Sequence, residues 1–161
     1  MTRITLDTNI LPAEELIRAG GRLGHCFAVV SVTERELGEH PLNVSLQGLG
    51  ETIAEVGVWN ESLWGSAVWA TDDSAKLLDG ILSVVANGSF PTDRRSLSPG
   101  QRRQLRDAMI LEAHTRAGRD FFVTNDVRGF VLHGRREKLE ALCHTSIRTS
   151  QEYLQWVQNA A

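Results

Sequence analysis

Four acidic positions in this sequence close apolar segments or lie level with their ends. Asp7 follows RITL, Glu34 or Glu36 follows HCFAVVS, Asp107 sits inside SPGQRRQLRDAMILEAHTRAG, and Asp126 follows DFFVTN. Carboxylates without histidine or cysteine are hard oxygen ligands, the donor set that Mg²⁺ or Mn²⁺ takes. Sites of this kind keep positions open for water and phosphate oxygens, which suits hydrolysis of a phosphodiester. A single acid after a strand is unremarkable, because Asp commonly caps the helix that follows. The joint placement carries the argument.

Asp107 is the position on which the set depends. Ser98 suits the N-cap, Pro99 the first helical position, and Gln101 completes a capping box. Gly118 supplies the left-handed stop. Helical spacing sets Asp107 between Ile110, Leu111 and His114 on the apolar stripe, with Glu112 and Arg116 paired on the far side. A carboxylate facing inward requires an arginine, a set of donors or a metal ion. From Asp107 to Gly118 the helix advances roughly 16 Å. The strand Asp120–Thr124 returns about the same length at ~3.3 Å per residue. Asp107 is thereby brought level with Asn125 and Asp126, at the strand edge where open parallel sheets bind ligands.

The elements that must position these acids follow in order. Arg3–Leu6 alternates as a first strand, and a helix over Pro12–Ala19 ends at Gly20-Gly21. His25–Ser31 is a second strand, followed by a helix over Val32–Glu39 with overlapping capping boxes, Ser31 with Glu34 and Thr33 with Glu36. This β-α-β-α opening favours a parallel sheet. Past the Asp120–Thr124 strand come a loop with Gly129 and Gly134, a helix over Arg136–Leu142, a fourth strand over Cys143–Arg148, and a last helix capped by Ser150. Residues 40–93 read as an inserted helical arm. Leu46–Val58 and Glu61–Ala70 are weakly helical, and Asp72 or Asp73 caps an amphipathic helix through Asn87. Trp59, Trp64 and Trp69, five apart, share no single helical face and divide between core and a partner surface.

With 161 residues, 42% of them hydrophobic, the chain reads as one domain with a sizeable core. Its net charge of −3 excludes a generic nucleic-acid coat, but the charge is uneven. Residues 40–93 hold seven acids and one base, whereas residues 94–106 hold five arginines and no acid. No apolar run is long enough for a membrane span, and no signal peptide is recognised. Cys26 and Cys143, both placed in strands, read as reduced thiols, so the cytoplasm is the expected location.

The order LDTN, VTEREL, RDAMILEAH and DFFVTND resembles the PIN-domain nucleases, most closely the VapC-type ribonuclease toxins of toxin–antitoxin pairs. The resemblance covers about residues 3–39 and 98–155 and leaves the 40–93 arm unmatched. It implies a three-layer α/β/α fold with a mostly parallel sheet of four to five strands. It also implies RNA cleavage dependent on Mg²⁺ or Mn²⁺, leaving a 5′-phosphate and a 3′-hydroxyl. Residue by residue, Asp7, Glu36, Asp107 and Asp126 match the family's acids, and Asn9 and Thr124 match polar positions that orient them. Many relatives carry a further Asp where Gly129 stands. The implied partners are an RNA substrate and an antitoxin protein; separately, the helical arm, with three tryptophans and a net acidic charge, is expected to associate with a second copy of the chain. Arg95, Arg102, Arg103 and Arg128 are the candidate RNA contacts.

Plainer roles compete for several residues. Asp7 could cap the helix after it, Glu36 could be a capping-box acid, and Asp120 lies at the opposite edge and reads as structural. His114 reads as a hydrogen-bonded helix residue rather than a general base, and Arg128 as an exposed loop residue. Three Asn-X-Ser matches (Asn43, Asn60, Asn87) lack a secretory signal, and Gly48-Leu-Gly50 lacks the remainder of a dinucleotide fingerprint. Two rivals to the nuclease remain: a PIN-like scaffold that binds without cutting, and a phosphatase using Asp7 as nucleophile. The latter generally wants an acid where Asn9 stands.

Overall fold

Alternation along the strands decides which side chains meet which layer. In β1 (Arg3–Leu6) Ile4 and Leu6 enter one core and Thr5 faces the other way; in β2 (Cys26–Val30) Phe27 and Val29 oppose Ala28 and Val30. The computed structural model describes residues 1–38, 49–63 and 65–160. Its remaining strands are β3 (Thr52–Ile53), β4 (Glu55–Val56), β5 (Ala67–Val68), β6 (Phe121–Val123) and β7 (Ser146–Arg148). Five of them form one sheet in the order β3-β2-β1-β6-β7, with every pairing parallel. Burial of both faces explains why its central strands are nearly continuous apolar runs.

Helices cover both faces. α1 (Glu14–Gly21) and a C-terminal helix (Ser150–Ala160) pack Leu16, Tyr153 and Val157 against Ile4, Leu6, Phe27 and Val123. α2 (Ser31–Leu37) leaves the end of β2. On the opposite face, α3 (Asp72–Val85), α4 (Pro99–Arg116) and α5 (Arg135–Cys143) bury Leu82, Met109 and Leu139 against Val30, Phe122 and Ile147. The C-terminal helix is α6. The chain is thus a three-layer α/β/α fold, and among the described residues no helix is long and apolar enough to cross a membrane.

The winding places the site. From β1 the chain steps outward to β2 and β3, then returns to β6 on the other side of β1 and moves out to β7. This reversal opens a crevice beyond the carboxyl ends of β1 and β6, where open α/β sheets bind ligands. α4 spans that crevice as its sequence requires. Ser98 accepts from the Gln101 N–H, Gln101 Oε1 accepts from the Ser98 N–H at 2.9 Å, and Gly118 takes φ +59°. Arg119, buried at the foot of α4, donates to the carbonyls of Ile4 and Cys26 at 2.9 Å each and to Glu51 at 2.7 Å. One side chain thereby ties β1 and β2 to the segment entering β3.

Several expectations are corrected. Over 49–70 the described residues form the short strands β3, β4 and β5, not helices, and only α3 is helical as expected in the arm. The cause is tethering to distant residues. Glu55 is held by the Ser31 hydroxyl at 2.9 Å and by Arg35, and the Ala54 carbonyl by Arg116 at 2.6 Å. Residues 40–48 and Trp64 lie outside the described residues. Trp59 and Trp69 are 71% and 86% exposed, and the division of the three tryptophans between core and surface turns on Trp64, which lies outside the described residues. Thr71, not Asp72 or Asp73, caps α3. Cys143 ends α5 instead of opening a strand, because His144 takes a left-handed turn before β7. The two capping boxes of α2 do not form: Ser31 bonds Glu55, Glu34 accepts from Thr52 at 2.6 Å and Glu36 from Thr8 at 2.7 Å. Thr149, rather than Ser150, caps α6, exchanging bonds with Glu152.

Candidate active site at the carboxyl edge of the sheet

Asp7 leaves β1 into a 3₁₀ turn, Thr8–Ile10, and is only 2% exposed. Its carboxylate accepts from the Thr124 hydroxyl at 2.6 Å, the Asn9 amide at 2.7 Å and the Thr8 N–H at 2.8 Å. Burial raises its pKa to about 6 against these donors, with Glu36 and Asp126 adding to the rise. Asp7 does cap the turn, but three donors and two neighbouring acids exceed what a cap needs.

Thr124 joins two acids. While its hydroxyl donates to Asp7, its oxygen accepts from the Asp126 N–H at 3.0 Å. Asn9 adds a second link, accepting from the Asn125 N–H at 2.8 Å. These contacts give both residues the orienting positions read from the sequence. Asp126 in turn caps the Val127–Val131 turn, its Oδ1 accepting from the Gly129 N–H at 2.9 Å. A Cβ at position 129 would come within 2.4 Å of Asp126 Oδ2, so only glycine leaves the carboxylate in place.

Asp107 comes from α4 and is half-buried. Burial raises its pKa to about 8, followed by the charges of Asp7, Asp126 and Glu36, with Arg103 the opposing influence. The same four acids inferred from the sequence are therefore one electrostatic group. Of Glu34 and Glu36, Glu36 acts on Asp7 and Asp107, while Glu34 is tied to β3. Among the described residues, no three His, Cys, Asp or Glu side chains are gathered into a ready-made metal cage. The acids act on one another through their fields across the crevice.

The arginines separate into two kinds. Arg102 and Arg106 hold the buried Glu61, Arg106 at 3.1 Å, and Arg106 also lies 3.8 Å from Glu36. Arg103 and Arg128 are exposed, and Arg95 pairs with Asp93 at 3.0 Å on the surface. Glu61 was not legible as a site residue. One signal did exist: Arg102 and Arg106, four apart in an acid-free stretch, repel each other unless an acid from elsewhere joins them. His114 is structural, as expected. It bridges Thr5 at 2.9 Å and Thr145 at 2.6 Å, and burial lowers its pKa to about 3. Asp120 is likewise structural, accepting from the Arg3 N–H at 2.7 Å. Glu112 pairs with Arg116 at 3.0 Å as read, with Glu112 buried and Arg116 at the surface.

No protein-family model, no curated protein and no solved structure matches this chain.

Proposed function

We propose that this chain is an endoribonuclease dependent on Mg²⁺ or Mn²⁺, hydrolysing RNA phosphodiesters at the crevice between β1, β6 and α4. One observation carries the reading: Asp107 is held half-buried beside three other carboxylates, its pKa raised to about 8. Arg106 lies 3.8 Å from Glu36, but Asp7, Asp107 and Asp126 form no ion pair among the described residues, and such a group of acids at a topological switch point is what a divalent cation would stabilise. The donor chemistry fits, being oxygen throughout, and Asp7, Asp107, Asp126 and Glu36 would hold the ion. When bound, such an ion neutralises phosphate oxygens and makes water a stronger nucleophile.

The chain's own groups do the rest. Thr124, Asn9 and the Thr8 N–H fix the Asp7 carboxylate, and Gly129 fixes that of Asp126. Asp107 releases its proton when positive charge enters the crevice. Arg103, exposed on the same helix, would meet the phosphate backbone. The resemblance to VapC-type toxins extends this proposal to a toxin role with an antitoxin as protein partner; a second copy of the chain is the partner expected of the 40–93 arm. The test is RNA cleavage with Mn²⁺ or Mg²⁺ against chelator, in wild type and in Asp107→Asn. Cleavage that survives chelation, or equal turnover in the variant, overturns the reading.

A further inference from the structure

Between the 57–69 segment and the first half of α4 lies a cleft of about 760 Å³, walled by Trp59, Leu63 and Trp69 on one side and Arg35, Arg102 and Arg106 on the other. Its apolar wall is built by a two-stranded clip. β4 and β5 run parallel, closed by the Gly57 N–H to the Val68 carbonyl at 2.8 Å, so Trp59 and Trp69 both emerge past carboxyl ends. Both rings and Leu63 are exposed. The cationic wall is fixed from beneath, Arg35 by Glu55, and Arg102 and Arg106 by Glu61. The three arginines are paired with two carboxylates, Glu55 and Glu61, which leaves one guanidinium charge in excess on this wall. Arg35 Nη2 has no hydrogen-bond partner among the described residues. Arg106, held by Glu61 at 3.1 Å, lies 3.8 Å from Glu36, so one side chain borders both the cleft and the acidic edge.

Three kinds of occupant meet this chemistry unequally. An apolar peptide would cover the rings and leave the guanidinium groups unmatched. A duplex would offer phosphates but keep its base faces stacked inside. An unpaired strand offers both, π faces for the tryptophans and phosphates for the arginines. We propose that this cleft is a stacking subsite for unpaired nucleotides of an RNA strand, whose neighbouring phosphodiester then lies at the acidic edge. The inference rests on the nuclease reading above.

The test measures binding with chelator present, so that nothing is cut, to three probes of equal length: a single-stranded oligoribonucleotide, its duplex, and an abasic strand. Wild type is expected to bind the single strand about ten-fold more tightly than the other two, with tryptophan fluorescence quenched. Trp59→Leu and Trp69→Leu are each expected to lose about ten-fold for the base-bearing strand and nothing for the abasic one. Both rings are exposed, and melting curves of each variant beside the wild type serve as the control for folding. Equal binding in wild type and variants overturns the subsite, as does equal affinity for the abasic strand. A dimer that the variants dissociate, without change in RNA binding, assigns the cleft to a second copy and also overturns it. A chain that shows the stacking pattern but cuts nothing with Mn²⁺ keeps the subsite and loses the nuclease.

Discussion

Asp7, at the end of β1, is the first among the charges that hold a proton on Asp107, in the middle of α4. The two residues are a hundred positions apart and meet only because α4 lies across the switch point. Asparagine at 107 stays neutral where the aspartate must give up its proton against the charge of Asp7. Asp107→Asn is therefore expected to abolish metal-dependent cleavage while melting no lower than wild type in chelator. Saturating Mn²⁺ should stabilise wild type by roughly 2–3 kcal/mol at about a hundred times its dissociation constant, and the variant by much less. A scaffold that holds Asp107 through an arginine gives the opposite melting result.

Gly129 positions Asp126 by having no side chain. Gly129→Ala sets a methyl within 2.4 Å of Asp126 Oδ2, and the carboxylate is the group free to move. Cleavage is expected to fall at least ten-fold with secondary structure intact. Wild-type turnover would show that Asp126 tolerates the displacement and is not positioned by this turn.

Arg102 was a candidate RNA contact, and its tie to Glu61 gives it a second duty. The Glu61 side chain is 1% exposed, and losing one guanidinium leaves a buried charge under-paired. With Arg102 itself partly in water, Arg102→Ala is expected to cost about 1–2 kcal/mol, read by denaturant unfolding. Combining it with Glu61→Gln should recover part of that loss. Additive losses would mean that the pair is not coupled.

Arg103 and Arg95 are two of the exposed arginines proposed to meet phosphate. Arg103→Ala and Arg95→Ala are each expected to weaken RNA binding and to lower the salt slope by about one counterion. Unchanged slopes in both would assign these residues to protein partners or to solubility.

What the sequence made legible is what local physics determines. The caps of α4 and the glycine after it set both its ends, and alternation marked β1 and β2. From these, the level of Asp107 against Asp126 followed by arithmetic on rise per residue. The 49–70 segment was not legible because distant residues hold it: Glu51 by Arg119, Glu55 by Arg35 and Ser31, Glu61 by Arg102 and Arg106. Strands of two residues carry no period to read. The capping boxes of α2 failed for the same reason, since Ser31, Glu34 and Glu36 all have partners on other elements. Local signals predicted local bonds, and tertiary contacts took the side chains.

The pH dependence of stability separates the acidic edge from the buried histidine. Asp107 and Asp7 have folded pKa values raised to about 8 and about 6, against an unfolded value near 4. The folded state then binds more protons than the unfolded one, so stability is greatest below about pH 4 and is lost as pH rises through the folded values. His114, lowered to about 3, works in the other direction: its contribution is complete above about pH 6.5 and is lost as pH falls below that. The two effects oppose each other in acid, but above about pH 6.5 Asp107 is the one of these three groups that still titrates. In chelator, wild-type melting temperature is expected to fall between pH 6.5 and 8, by at most about 1.4 kcal/mol of stability per unit. Asp107→Asn should be flat across that window, and Mn²⁺ should flatten the wild type by favouring the deprotonated acid. Parallel pH profiles for wild type and Asp107→Asn would show that Asp107 carries no raised pKa, and the case for a cation at this edge would fall with it.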